Sequence, residues 1–288
     1  MPLAKVVGKH RTTFGLVNTG GSMTNHELPF AKKSLGQHWL TDSVSLQAMC
    51  DAVAVGPEDT VLEIGPGVGT LTELLLAQAK QVIAVEFDKD LADNLPKIRP
   101  EANLKVVNQD ILTFNLTSLP IGYKVVANIP YYLTSKLIRV LSESNNPPSE
   151  VALLVQKEVA QRVSAKPGDM SLLSVTAQFY WEATVGMLVP ARLFTPPPKV
   201  DSQILILKRR HNSMFPDVDE SSYFRLVRAG FSNRRKTLLN SLSGGLQVPK
   251  LQVSELLATA DLKPTSRPQE LSLEDWHRLY LAHSTPLA

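Results

Sequence analysis

The stretch Glu63-Ile64-Gly65-Pro66-Gly67-Val68-Gly69-Thr70 constrains the fold of this chain more than any other. It follows a short apolar run over 61–64 and leads into a helical pattern over 70–79. Glycines in such a turn take dihedrals that other residues resist and let the backbone pass close to a neighbour. The same alternation recurs on both sides. Apolar residues fall at helical spacing over 45–55, and a second strand over 82–85 is closed by Glu86. A helix over 88–95 is expected to stop at Pro96. Strands follow at 104–107, 125–128 and 151–155, with helices over 134–141 and from about 157. Strands alternating with helices predict an α/β fold, a parallel sheet covered on both faces. Two later β-rich runs, 184–189 and 203–207, are suited to close its edge, and Thr195-Pro196-Pro197-Pro198 between them reads as rigid and extended.

After Arg210 the character changes. The windows 223–231, 234–242, 251–260 and 273–282 all read at helical period, with Ser254 and Ser272 as expected N-caps. The 288 residues therefore divide into a tail over 1–30, a Rossmann-like unit over 31–206 and a small all-helical unit over 207–288. Residues 1–26 show no sustained period. They read as a mobile tail, as a basic targeting segment, or as sequence upstream of an alternative start at Met23.

Composition excludes several classes. Hydrophobic residues at 43% and charged residues at 20% do not suit a disordered, collagen-like or coiled-coil chain. No run approaches the ~20 apolar residues of a membrane helix. The single cysteine, Cys50, can form no internal disulfide and lies in an apolar helical pattern, so it reads as core in a cytoplasmic protein. No metal site is expected. Residues 1–41 carry five basic residues and one acid, a net +4, and residues 42–205 carry 13 basic and 18 acidic, a net −5. Residues 206–288 carry 12 basic and 8 acidic, again +4. An acidic centre between basic ends is either ordinary solvated surface or a grip on a polyanion. Lys32, Lys33, Arg234, Arg235 and Lys236 are the candidate phosphate contacts, the last three placed at a helix start.

A lone glycine-rich turn fits a dinucleotide site, an S-adenosylmethionine site or a tight turn. Three details favour S-adenosylmethionine. The spacing is G-x-G-x-G with Thr70 in place of a further glycine, Glu63 precedes the first glycine, and Glu86 ends the second strand, where a carboxylate can accept ribose hydroxyls. Dinucleotide enzymes also place an acid there. Asp110, ending the third strand, is a candidate acceptor for an adenine amine or else a capping carboxylate.

Asn128-Ile129-Pro130-Tyr131 after the fourth strand carries the most specific chemistry. The exocyclic amine of adenine is a poor nucleophile because its lone pair is delocalised into the ring. Two acceptors for its hydrogens would help, one from the Asn128 side chain and one from adjacent backbone. Pro130 stiffens the turn, and Tyr131 offers a flat face for the base.

From about Lys32 to the C-terminus the chain resembles the KsgA-type small-subunit ribosomal RNA adenine dimethyltransferases. The motifs concerned are Lys33-Ser34-Leu35-Gly36-Gln37-His38-Trp39-Leu40, the glycine loop, Val85-Glu86-Phe87-Asp88, Asn108-Gln109-Asp110 and Asn128-Ile129-Pro130-Tyr131. They continue through Gln156-Lys157-Glu158-Val159, then Phe194-Thr195-Pro196-Pro197-Pro198-Lys199-Val200-Asp201-Ser202, and end with residues 229–238. The resemblance implies a Rossmann-like class I methyltransferase domain with a helical C-terminal domain. It implies that His38, Leu40, Gly65, Gly67, Glu86, Asp110 and Asn128 border the cofactor. It also implies that Phe194 faces Tyr131 across a flipped adenine. The expected substrate is a pair of adjacent adenosines in a hairpin near the 3′ end of 16S rRNA, within a 30S particle or its precursor. The enzyme is expected to act as a monomer. The alternatives are a 23S rRNA methyltransferase of the macrolide-resistance type and a mainly non-catalytic 30S assembly factor. Two positions depart from the pattern: His38, where many relatives carry Asn, and Met170-Ser171, where the family often has Tyr-Gly.

Overall fold

The computed structural model describes residues 31–32, 35–233 and 235–284. The expected tail over 1–30, Lys33 and Arg234 lie outside these residues. In chain order the elements are β1 (Trp39–Leu40), α1 (Ser43–Asp51), β2 (Thr60–Ile64), α2 (Thr70–Gln78), β3 (Gln81–Glu86), α3 (Lys89–Ile98) and β4 (Leu104–Asn108). Then come β5 (Lys124–Asn128), α4 (Thr134–Glu143), β6 (Glu150–Gln156), α5 (Lys157–Val163), α6 (Leu172–Tyr180) and β7 (Trp181–Val189). The last are β8 (Phe194–Thr195), β9 (Ser202–Arg209), α7 (Glu220–Gly230), α8 (Leu238–Leu246), α9 (Lys250–Thr259) and α10 (Leu273–Ser284).

Seven strands form one sheet in the order β4-β3-β2-β5-β6-β9-β7. The first five pair in parallel, and β9 joins both β6 and β7 antiparallel, closing the edge as expected. Connections leave β2 toward β3 on one side and β5 toward β6 on the other. The strand order therefore reverses between β2 and β5, and in an open α/β sheet the crevice at such a switch point is where ligands bind. Central strands such as β6 are buried on both faces, which accounts for its unbroken apolar run. Cys50 is buried in the cluster formed by α1, α2 and one face of the sheet.

Three expectations fail at helix ends. Helix α3 does not stop at Pro96 but runs over it to Ile98. A proline forfeits one backbone bond there, yet Leu91, Ala92 and Leu95 are buried and hold the last turn against the sheet. Ser254 caps nothing. Helix α9 begins at Lys250 because Pro249 already sits in extended geometry at the cap. Residues 235–237 are not helical. Thr237 is extended and Leu238 N–H donates to Ser266 O at 2.7 Å, so α8 starts only at Leu238. Arg235 and Lys236 thus lie in the preceding turn, not in a first helical turn. Strand β9 also extends to Arg209, past the 207 start expected for the helical part. By contrast Ser272 caps α10, with Asp275 N–H donating to its Oγ at 3.1 Å and its own N–H donating to Asp275 at 2.8 Å. Ser171 caps α6 in a reciprocal pair with Ser174. One apolar cluster runs from Leu62 in the sheet through Phe179 to Trp276 in α10, so the C-terminal helices share their core with the sheet.

Candidate active site

The C-terminal ends of β2, β3, β4 and β5 open on a single cavity. Its wall contains His38, Leu40, Gly65, Gly67, Glu86, Asp110, Asn128, Ile129, Pro130, Tyr131 and Phe194. The structure therefore gathers every residue expected for cofactor and target base around one space. A strap over 35–40 crosses its top. β1 in the strap pairs antiparallel with β8, Leu40 opposite Phe194 and Trp39 opposite Thr195.

The glycine loop is shaped by two contacts. Gly65 has φ +66°, and a Cβ there would meet nothing within 4 Å. The backbone thus faces open space in which a ligand can lie against it. Gly67 has φ +58°, and a Cβ would come within 2.5 Å of the Trp39 ring. Its glycine is required by the close approach of the strap. Arg99, buried beneath the loop, pairs with Glu73 and donates from Nε to Gly69 O at 3.4 Å.

Glu86 is buried at the end of β3. It accepts from Gly67 N–H at 3.1 Å through Oε2 and from Asp88 N–H at 2.8 Å through Oε1. Burial raises its carboxyl above the usual range, and these two backbone donors oppose the rise. Each oxygen keeps a further lone pair for a hydroxyl. Asp110 accepts from Leu112 N–H at 2.9 Å, so it caps a short 3-10 turn while lining the cavity. The capping reading and the cofactor reading are compatible, because a carboxylate has two oxygens.

Glu63 is the group for which sequence reasoning gave no geometry. It is 1% exposed, and its Oε2 has no hydrogen-bond partner. Burial pushes its carboxyl up to about 8, and the charge of Glu86 adds to the rise. The Thr72 hydroxyl offsets this only partly, since it too completes no bond of good geometry.

The Asn128 turn is fixed from both sides. Asn128 Nδ2 donates to His38 O at 3.4 Å, leaving Oδ1 as an acceptor. Pro130 O accepts from Leu133 N–H at 3.0 Å and Tyr131 O from the Thr134 hydroxyl at 3.1 Å, and Ile129 O is a candidate second acceptor in the turn. The Tyr131 hydroxyl bonds Ser202 Oγ at 2.8 Å, and burial raises its pKa. The His38 ring lies 6.1 Å from that of Tyr131, inclined by 20°, with its Nδ1 2.6 Å from Pro196 O. Phe194 is 3% exposed. It lines the cavity and is also packed among Leu40, Leu46 and Leu71, so it is part of a core as well as a wall. Ser202, which anchors Tyr131, and Trp39, which packs on Gly67, carry no sequence signal beyond their position in longer motifs.

One candidate phosphate contact needs correction. Lys32 Nζ is engaged by Asp88 at 2.7 Å and Asp90 at 3.2 Å, ties the strap to the end of β3, and would have to leave two acids to hold a phosphate. Arg235 and Lys236 are exposed and have no acidic partner among the described residues.

The site fits S-adenosylmethionine. The open face of Gly65 accommodates a ligand against the backbone, Glu86 offers acceptors for a ribose, and Glu63 Oε2 in the cavity wall is a polar atom with no partner in the protein.

Comparison with known proteins agrees with this geometry. The model of the ribosomal RNA adenine dimethylase family matches residues 30–282. Ribosomal RNA small subunit methyltransferase A of Dehalococcoides mccartyi strain CBDB1 is 42% identical over 258 residues, spanning 88% of this chain and 89% of the relative. The protein of the same name from Lactococcus lactis subsp. lactis strain IL1403 is 39% identical over 277 residues, 92% and 93% of the two chains. Among solved structures, a dimethyladenosine transferase from Plasmodium falciparum superposes with TM-score 0.74 at 29% identity, covering 85% of this chain and 96% of that one. The 23S rRNA methyltransferase ErmE gives 0.67 at 29% identity, covering 85% and 98%. The chain belongs to the ribosomal RNA adenine dimethylase family.

Proposed function

We propose that this chain dimethylates N6 of two adjacent adenosines in a hairpin near the 3′ end of 16S rRNA. It would act as a cytoplasmic monomer on the 30S particle or its precursor, with a role in small-subunit biogenesis. The observation that carries the reading is that the Asn128 turn opens on the same cavity as the glycine loop and Glu86. The reading also draws on relatives 39–42% identical that carry a small-subunit name.

S-adenosylmethionine, when bound, supplies an electrophilic methyl group. Glu86 would hold its ribose, Asp110 its adenine amine, and Gly65, Gly67, His38 and Leu40 its remaining surface. The target adenosine must leave its stack, which costs a few kcal/mol. Tyr131 and Phe194 would receive the base. Asn128 Oδ1 and Ile129 O would accept the two amine hydrogens and hold the nitrogen lone pair out of conjugation, directed at the methyl carbon. Transfer would form the C–N bond as the C–S bond breaks, and the proton left on nitrogen would pass to water. Pro130 adds stiffness, so that the two acceptors need not reorganise during reaction. The helical part after β9, with Arg235 and Lys236 exposed, would grip phosphates away from the acidic centre.

The similarity to ErmE supports a second reading, in which the acceptor is 23S rRNA. Separate incubation of unmethylated small and large subunits with labelled S-adenosylmethionine, followed by nucleoside mapping, decides between them. The expected product is N6,N6-dimethyladenosine in small-subunit rRNA. Label in 23S rRNA would support the second reading, and label in neither would leave the assembly role.

A further inference from the structure

The cavity has an exposed aromatic ring to which the proposed binding of cofactor and target base assigns no role. Tyr132 lines it yet is 65% exposed. Its neighbour Tyr131 is half-buried, with its hydroxyl fixed to Ser202. The two lie in the 3-10 turn Tyr131–Leu133. At three residues per turn, consecutive side chains point about 120° apart, so one ring can face the slot only if the other turns away. The turn itself is rigid. Leu133 N–H donates to Pro130 O at 3.0 Å, and the Thr134 hydroxyl donates to Tyr131 O at 3.1 Å.

The Tyr132 ring also has a seat. A Cβ on Gly36 would lie 3.6 Å from Cε1 and 3.7 Å from Cδ1 of Tyr132. One side of the ring thus rests against the strap. Its hydroxyl makes no hydrogen bond among the described residues, so the solvent-facing surface is not held by polar contacts. A large aromatic side chain on a hydrogen-bonded turn, backed on one side by the strap and otherwise uncovered beside the cavity, suits stacking of a base. Phe87, also exposed on this cavity at 62%, follows Glu86 and belongs to the cofactor end.

When an adenosine is flipped out, the nucleotide next to it loses a stacking partner. We propose that Tyr132 is the platform for that flanking nucleotide, a specificity-determining residue that holds the RNA strand in register while its neighbour occupies the slot. The proposal rests on the reading of the chain as an enzyme for adenosine in rRNA.

Steady-state methylation of unmethylated small subunits by wild type, Tyr132→Ala and Tyr132→Phe tests it, with S-adenosylmethionine affinity measured by calorimetry on each. Loss of one stack should raise KM for the particle about 5- to 100-fold in Tyr132→Ala. Turnover at saturation and cofactor affinity should stay near wild type, and Tyr132→Phe should restore KM. A wild-type KM in Tyr132→Ala would overturn the proposal. So would a Tyr132→Phe protein as impaired as Tyr132→Ala, or cofactor affinity that falls in step with KM. If the wild type itself leaves small subunits unmodified, the functional reading fails first and this one with it.

Discussion

The backbone N–H of Gly67 donates to Glu86 Oε2 at 3.1 Å, joining the glycine loop after β2 to the carboxylate that ends β3. One side chain thus fixes the loop's position and presents acceptors to the cavity. Glu86→Ala removes both functions, whereas Glu86→Gln keeps an acceptor. A hydrogen bond to a charged group contributes roughly 1.5–3 kcal/mol, so Glu86→Ala should weaken S-adenosylmethionine binding about 10- to 100-fold. Glu86→Gln should lose less. Unchanged affinity by calorimetry in the alanine variant would remove Glu86 from the site.

Glu63 makes stability pH-dependent. Its folded-state pKa is raised to about 8, above the ordinary value of 4.5. The folded state therefore holds a proton that the unfolded state releases between those limits, and stability falls as pH rises through that window. Thermal midpoints of wild type should decline from pH 5 to pH 8 relative to Glu63→Gln, which has no proton to lose. Parallel midpoint curves for the two proteins would show that Glu63 ionises normally.

Tyr131 and Phe194 should separate by chemistry. Tyr131→Phe keeps the ring and loses the bond to Ser202, so it should retain more methyl transfer than Tyr131→Ala, which forfeits a stack of ~1–3 kcal/mol. Phe194→Leu keeps core volume while removing the flat face. If Phe194→Leu methylates at the wild-type rate, Phe194 serves only the core cluster with Leu40 and Leu71.

The basic turn before α8 should report through salt. Each phosphate contact contributes close to one unit to the slope of log K against log salt. Arg235→Ala combined with Lys236→Ala should flatten that slope by ~1–2 for unmethylated small subunits and leave cofactor affinity intact. An unaltered slope would place the RNA grip elsewhere.

Much of the parallel sheet and its loop chemistry was legible because short-range pattern determines it. The apolar run of β6, the glycines after β2 and the acid closing β3 each announce their place locally. What was not legible depends on contacts between distant segments. Helix α8 starts at Leu238 because Ser266 captures its N–H, a bond no window around residue 234 contains. Pro96 is overridden by burial of Leu91 and Leu95 beneath it. Lys32 looks like one cation of a basic end until α3 brings Asp88 and Asp90 to it. The anchoring of Tyr131 by Ser202 likewise joins a turn to a strand 71 residues on, and the missing partner of Glu63 Oε2 appears only once β2 is buried.

The central claim is that the Asn128 turn is where the amine reacts, and single-turnover methyl transfer by Asn128→Ala tests it most directly. Removing one preorganised polar partner at a reacting centre costs about 10²–10³ in rate. The variant should therefore bind small subunits as wild type does yet transfer methyl groups more slowly by about that factor. Transfer at the wild-type rate, with the particle bound normally, would contradict the account.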